Sequence, residues 1–223
     1  DPKQKEIIRD IWSDLRQAYK FGSLVKLDEK LSIQLHGLQQ QFEGRQFSIF
    51  GESMLANYEQ FRDNFFINLQ RAVEKYTDRQ VHTFIKTKTQ DAITFLQMLT
   101  QKYDVAVANP PYTDSADFGV ELKAFINAHY SKPYKFNTNL YATFIKRCCE
   151  LTEEDGKLAL IHPLTFMYIK SFEDVRKYII ENLHINIFVD YGLSNLFGTI
   201  MVDPAFYVLE KKKNEKPSLF ISL

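Results

Sequence analysis

The sequence predicts an α/β protein whose sheet begins only after a long helical stretch. Apolar residues recur at three- and four-residue spacing through the first hundred positions, which is the period of helices with one buried face. From Tyr103 the texture changes to short runs of small and β-branched residues, two of which stop near a proline, at Pro110 and Pro163. The order from there is strand, helix, strand, helix, strand, strand. It reads as part of a doubly wound sheet whose last strands pair as an antiparallel hairpin. The domain boundary falls between a helical segment, 1–102, and an α/β segment, 103–223.

In chain order, Ile7, Ile8, Ile11, Trp12, Leu15 and Tyr19 mark one face of a first helix, interrupted by Phe21-Gly22-Ser23-Leu24. A second helix is expected over 27–42, with Gly44 punctuating its end. A long third, 52–76, puts Leu55, Tyr58, Phe61, Phe65, Leu69 and Val73 on one side, and two short helices follow over 79–88 and 91–99. Tyr103–Ala108 reads as a buried strand. The long loop after it holds Asp114, Asp117, Gly119 and a short helix near Val120–His129, and loops of that length tend to be functional. A helix then runs from Thr138 to about Leu151, with Asn139 near its start, and Glu153-Glu154-Asp155-Gly156 supplies a turn. Lys157–His162 is the second strand. Ser171 is expected to cap a helix ending near Asn182. Ile185–Tyr191 is the third strand, Leu196-Phe197-Gly198 a tight connection, and Ala205–Glu210 the fourth, with Asp203-Pro204 where a proline does least harm. Lys211–Lys216 reads as a solvated turn that could touch phosphate.

Composition narrows the classes. The 223 residues are 45% hydrophobic and carry 28 basic against 28 acidic side chains, so no net charge draws the chain to nucleic acid, although a local basic groove is compatible with neutrality. Cys148 and Cys149 are adjacent in a helical stretch, where neighbours do not face each other; a disulfide is not expected, and a reduced, cytoplasmic setting fits. They also lack the spacing of a zinc site. No run is long and apolar enough for a membrane span.

The chemistry concentrates at Asn109-Pro110-Pro111-Tyr112. The first strand carries Asn109 to a sheet edge, where α/β proteins bind ligands. Asn109 offers an amide acceptor, Pro110 a free carbonyl, and Tyr112 a flat ring. Such a set suits a planar ligand with an exocyclic amino group. The plainer alternative is a strand-ending turn capped by Asn109, but the tetrapeptide arises by chance in roughly one such chain per thousand. His162 ends a strand on the same edge without a nucleophile or ligand beside it and reads as structural or solvent-facing. Asp190 reads as a turn cap.

These four residues resemble the signature of amino-group methyltransferases, most familiarly the N6-adenine DNA methyltransferases. From Tyr103 to Lys211 the order of elements is similar to the second half of that catalytic domain. Asn139-Leu140-Tyr141-Ala142, Gly156–Pro163 and Ile187–Tyr191 match its next helix and strands. Phe21-Gly22-Ser23-Leu24 further resembles the large enzymes of BREX phage-defence systems, with type IIG restriction-modification enzymes close behind. The resemblance implies the C-terminal part of a Rossmann-like methyltransferase sheet and S-adenosylmethionine as methyl donor. It implies double-stranded DNA as partner, possible contact with other defence-system subunits, and a base turned out of the duplex. Asn109, Pro110 and Tyr112 would then be catalytic, and Pro111 and Phe197 would contact the base. For Phe197, ordinary packing is the alternative. The family's Phe-x-Gly-x-Gly turn for the cofactor is not found, so the expectation is a fragment that begins after the cofactor-binding half and is inactive alone. Two other readings remain: a protein-glutamine N5 methyltransferase, against which Thr113 and Asp114 after the tyrosine speak, and a non-catalytic piece that binds partner proteins.

Overall fold

The computed structural model describes residues 20–26, 33, 51–77, 83–192, 194–197, 200–212 and 216–223. Its backbone contacts divide the chain into two units, Asp1–Gln101 and Lys102–Leu223. The helices expected over 1–20 and 27–42 lie outside the described residues, apart from Lys20 and Ile33.

The first unit contains a short 3-10 turn, Gly22–Leu24, and helices α1 (Gly51–Thr77) and α2 (Thr83–Thr100), which pack together. Gly22 takes a positive φ of 56°, and Leu24 and Val25 beside it are buried. Among the described side chains of α1, Phe66 is buried, and Phe65 and Leu69 of the expected stripe are half-buried. α2 replaces the two short helices read from the sequence. No glycine or proline interrupts Thr83–Thr100, so the polar Thr89-Gln90 pair does not break it, and Ile93, Leu96, Leu99 and Thr100 form its buried face.

The second unit is the α/β part. Its elements are β1 (Tyr103–Ala108), α3 (Val120–Tyr130), α4 (Leu140–Leu151), β2 (Thr152–Pro163), 3-10 turns at Leu164–Met167 and Lys170–Phe172, and α5 (Glu173–Asn182). These are followed by β3 (His184–Asp190), β4 (Ser194–Phe197), β5 (Ile200–Val202), β6 (Pro204–Glu210) and β7 (Leu219–Ser222). Five strands form one sheet in the order β1-β2-β6-β3-β7, and β4 and β5 form a small hairpin of their own. β1, β2, β3 and β7 run the same way, and β6 runs against them.

Alternation in the strands explains where the core sits. Leu158, Leu160 and His162 on β2 lie beside Leu209, Tyr207 and Ala205 on β6, all on one face and all buried. Tyr141 of α4 and Ile179 of α5 reach this face, the first stacking on His162 and the second lining a small apolar cavity with Phe188, Tyr207 and Leu209. The opposite face carries Val105 and Val107, 57% and 74% exposed.

Several expectations change. Tyr103–Ala108 is an edge strand and not a buried one, because it pairs only with β2 in the described sheet. The Glu153–Gly156 turn lies inside β2 as a bulge: Tyr103 pairs with Thr152, but Val105 already pairs with Lys157. Asp155 there has a φ of 65°. Lys211 and Lys212 form a bend in which Lys212 is exposed, as expected of a solvated turn, and Lys211 is half-buried; both also reach back to this bulge, Lys211 to Glu154 at 2.9 Å and Lys212 to Asp155 at 2.8 Å. Ser171 does not cap α5, since the chain makes another 3-10 turn first and Phe172 occupies the cap without a side-chain bond. Leu196 and Phe197 of the expected tight connection belong to β4, where Phe197 pairs with Ile200, and Gly198 lies outside the described residues. β3 and β6 are antiparallel neighbours as expected, joined through β4 and β5. No helix among the described residues is long and apolar enough to cross a membrane.

Candidate active site

Because of these strand directions, the carboxyl ends of β1, β2 and β3 and the start of β6 share one rim of the sheet. Three segments leave from it: residues 109–119 after β1, the 3-10 turns after β2, and the β4–β5 hairpin between Asp190 and Asp203.

The first segment holds Asn109-Pro110-Pro111-Tyr112. Asn109 and Pro111 are exposed, Pro110 is buried and Tyr112 is half-buried. The Tyr112 hydroxyl donates to Asn109 Oδ1 at 3.1 Å. Burial raises the phenol pKa above its ordinary value, so Tyr112 keeps its proton throughout the physiological range. Just beyond, the chain is stitched to the start of α4. The Leu140 N–H donates to the Thr113 carbonyl at 2.9 Å and the Ser115 N–H to the Thr138 carbonyl at 3.1 Å. Asp114 and Asn139 form a bridge. Asn139 is itself the N-cap of α4, its side chain accepting the Tyr141 N–H at 3.2 Å. The turn that follows β1 is therefore anchored one residue past Tyr112.

Under that anchor lies an aromatic stack. The Tyr141 ring lies on His162 at 4.4 Å and on Phe172 at 5.4 Å. His162 Nδ1 lies 3.0 Å from the Pro163 carbonyl, which can only accept, so Nδ1 carries the proton. Nε2 is then bare and accepts from the Tyr207 hydroxyl at 2.7 Å. Burial lowers the His162 pKa to about 4 and raises that of Tyr141 to about 12 and that of Tyr207 well above 10. The His162 value lies below that of an unfolded histidine, about 6.5. Between the two values the unfolded chain binds a proton that the folded chain refuses, so stability is full above the upper value and falls as the pH drops. The phenols keep their protons throughout and do not offset this. Acidification from pH 7 to 5 is expected to cost about 2 kcal/mol through His162. Denaturant titrations of wild type and His162→Gln at both values check it, and an equal acid loss in the variant would exclude His162 as the source.

The other rim segments are also fixed. Arg176 donates to the carbonyls of Phe166 and Ile169 at 2.6 and 2.8 Å, and Leu164 N–H to that of Asp203 at 2.7 Å. Asp190 Oδ1 accepts the Gly192 N–H at 2.9 Å, the turn cap expected of it. Phe197 ends β4 opposite Ile200, on the hairpin that leaves the same rim as Asn109. Asp203 Oδ1 is buried with no hydrogen-bond partner among the described residues. Tyr141 and Tyr207 were not singled out from the sequence. The inward positions Leu158, Leu160 and His162 were a signal that His162 is core and needs a polar partner.

Both cysteines are buried free thiols, and burial pushes Cys148 up to about 11. Among the described residues no group of three or more His, Cys, Asp or Glu side chains could hold a metal ion.

The Eco57I restriction-modification methylase family matches residues 15–197, well over half of the chain. The chain belongs to that family. The span matched by the Eco57I-type methylase family includes the Asn109–Tyr112 turn, the α4 anchor and the aromatic stack, and it ends at Phe197. One relative, the adenine-specific methyltransferase BrxX of Escherichia coli O9:H4 (strain HS), is 29% identical over 85 residues, covering 38% of this chain and 7% of that protein. The type II methyltransferase M.BstVI of Geobacillus stearothermophilus is 30% identical over 116 residues, 52% of this chain and 20% of that one. The chain thus spans a fifth or less of the length of these relatives. A solved structure of the type IIL restriction-modification enzyme MmeI with DNA aligns at a TM-score of 0.46 and 12% identity, over 57% of this chain and 18% of that one.

Proposed function

We propose that this chain supplies the substrate-amine side of an S-adenosylmethionine-dependent DNA adenine N6 methyltransferase. The observation that carries the proposal is the exposed Asn109 at the carboxyl end of β1, its amide oxygen held by Tyr112 and followed directly by Pro110. The Asn109 oxygen and the Pro110 carbonyl accept the two hydrogens of an adenine amino group. Holding both draws the nitrogen lone pair out of conjugation with the ring and aims it outward. Tyr112 stacks on the base, with Pro111 beside it. Phe197, on the hairpin from the same rim, meets the base from another side. Stacking of this kind is worth roughly 1–3 kcal/mol per base, comparable to the cost of unstacking.

S-adenosylmethionine would supply the electrophilic methyl group. The Phe-x-Gly-x-Gly turn that holds its methionine end in the family has no counterpart in this sequence. No residue of the chain is therefore assigned to the donor, and the fit of the described residues is to the acceptor amine alone. In this reading DNA is the partner and the cytoplasm the setting; the restriction-modification family supports a role in restriction-modification or phage defence, with contact to other subunits as part of the proposal.

The test uses the polypeptide that the gene encodes, supplied with methyl-labelled S-adenosylmethionine and duplex DNA. Label recovered as N6-methyladenine is the expected result. Label recovered on the side-chain amide of a protein glutamine, with none on DNA, would replace this reading with the glutamine methyltransferase. No transfer to either acceptor would leave the chain without the activity proposed.

A further inference from the structure

The ring of Tyr112 stacks on the base in the proposed function, which gives its hydroxyl no task. That hydroxyl lies 3.1 Å from Asn109 Oδ1, and both residues are at the rim. Resting on the proposed amine-methylating function, we infer that the Tyr112 hydroxyl is a positioning group that fixes which end of the Asn109 carboxamide meets the substrate.

A carboxamide is nearly symmetric in shape and opposite in chemistry at its two ends. Oδ1 accepts, whereas Nδ2 only donates. An exposed asparagine can present either end by turning about its last side-chain bond, a broad and roughly two-fold rotation. An amino substrate meets an acceptor in one orientation and a clash of donors in the other. The phenol favours the productive one, because its lone pairs are partly drawn into the ring and its O–H is the better hydrogen-bonding half. Burial reinforces this by keeping the phenol protonated. The amide oxygen has two lone pairs, so one bond from Tyr112 leaves the second free for the amine.

The surroundings let the hydroxyl do this. The Thr113 carbonyl and Ser115 N–H, just beyond Tyr112, are bonded to the start of α4, which fixes the tyrosine backbone. The contact is long for an O–H···O bond, which favours an orienting role of modest size over a strong one. The selectivity it provides is for amino acceptors over carbonyl-bearing ones at the position facing Asn109.

Tyr112→Phe tests this in the polypeptide that the gene encodes, with S-adenosylmethionine and duplex DNA. The ring remains, so KM for DNA should stay within about twofold, and 2-aminopurine at the target position should still brighten when it leaves the stack. The turnover kcat should fall about five- to tenfold, the scale of one modest hydrogen bond. An unchanged kcat would overturn the inference, as would a rise in KM alone, which would make the hydroxyl a binding contact. Asn109→Asp adds a second readout: a carboxylate has an acceptor at both ends and needs no orienting, so in that background Tyr112→Phe should lower kcat less than twofold. The same loss in both backgrounds would show that the hydroxyl acts other than by orienting the amide. Wild type that transfers no methyl group to DNA would defeat the functional reading itself, a result distinct from each of these.

Discussion

Asn109→Ala is expected to lower methyl transfer to DNA by roughly 10²–10³-fold, with DNA binding changed only a few-fold. The size follows from what is lost. Asn109 and Pro110 act together on one amine, and removing one member of a preorganised polar pair costs about that much when the other cannot substitute. The carbonyl of Pro110 belongs to the backbone and survives the change. Asn109 is exposed and bonded to Tyr112, so its loss leaves no buried polar group unpaired, and folding should be untouched. Single-turnover rates on duplex DNA, with the unfolding midpoint measured alongside, separate the two effects. A variant that retains a tenth or more of the wild-type rate would remove Asn109 from the chemistry.

Gly156→Ala should have the largest effect on stability, a loss of roughly 2–4 kcal/mol. Gly156 sits in the bulge where β2 resumes its pairing with β1. A Cβ there would lie 2.5 Å from Thr152 Cγ2, 2.9 Å from the Asp104 carbonyl oxygen and 3.0 Å from that of Glu153. Thr152 has no room to turn away, because it is fully buried and its hydroxyl donates to the Cys148 carbonyl at 2.7 Å. The Asp104 oxygen belongs to β1 itself, so relief must come from parting the two strands at the amino end of β1, the end away from Asn109. Denaturant midpoints of the two proteins measure the loss. A difference under about 0.5 kcal/mol would mean that the bulge relaxes at little cost.

The α/β class was legible because it rests on patterning that packing cannot easily override. Prolines after Ala108 and His162 stop strands wherever those strands lie in the sheet, and Asn109-Pro110-Pro111-Tyr112 carries its chemistry in residue types alone. Placement was less legible. Tyr103–Ala108 looks like an interior strand by composition, and an edge differs only in having one neighbour, which local sequence does not record. The bulge at Glu153–Gly156 looked like a turn because the same glycine and acidic residues serve both. Ser171 met the preferences of a helix cap, but the 3-10 turn before α5 shifted the helix start by one residue. The His162–Tyr207 bond joins residues 45 apart and depends on the pairing of β2 with β6, which no local spacing encodes.

The open side of β1 bears on how this chain behaves at high concentration. Val105 and Val107 stand out from a strand that, among the described residues, pairs along one edge, and an edge strand with exposed β-branched side chains is a template for another molecule's strand. Concentrated solutions should self-associate through that margin, and a lysine at Val107 should keep them clear, since a charge there opposes stacking and displaces no interior packing.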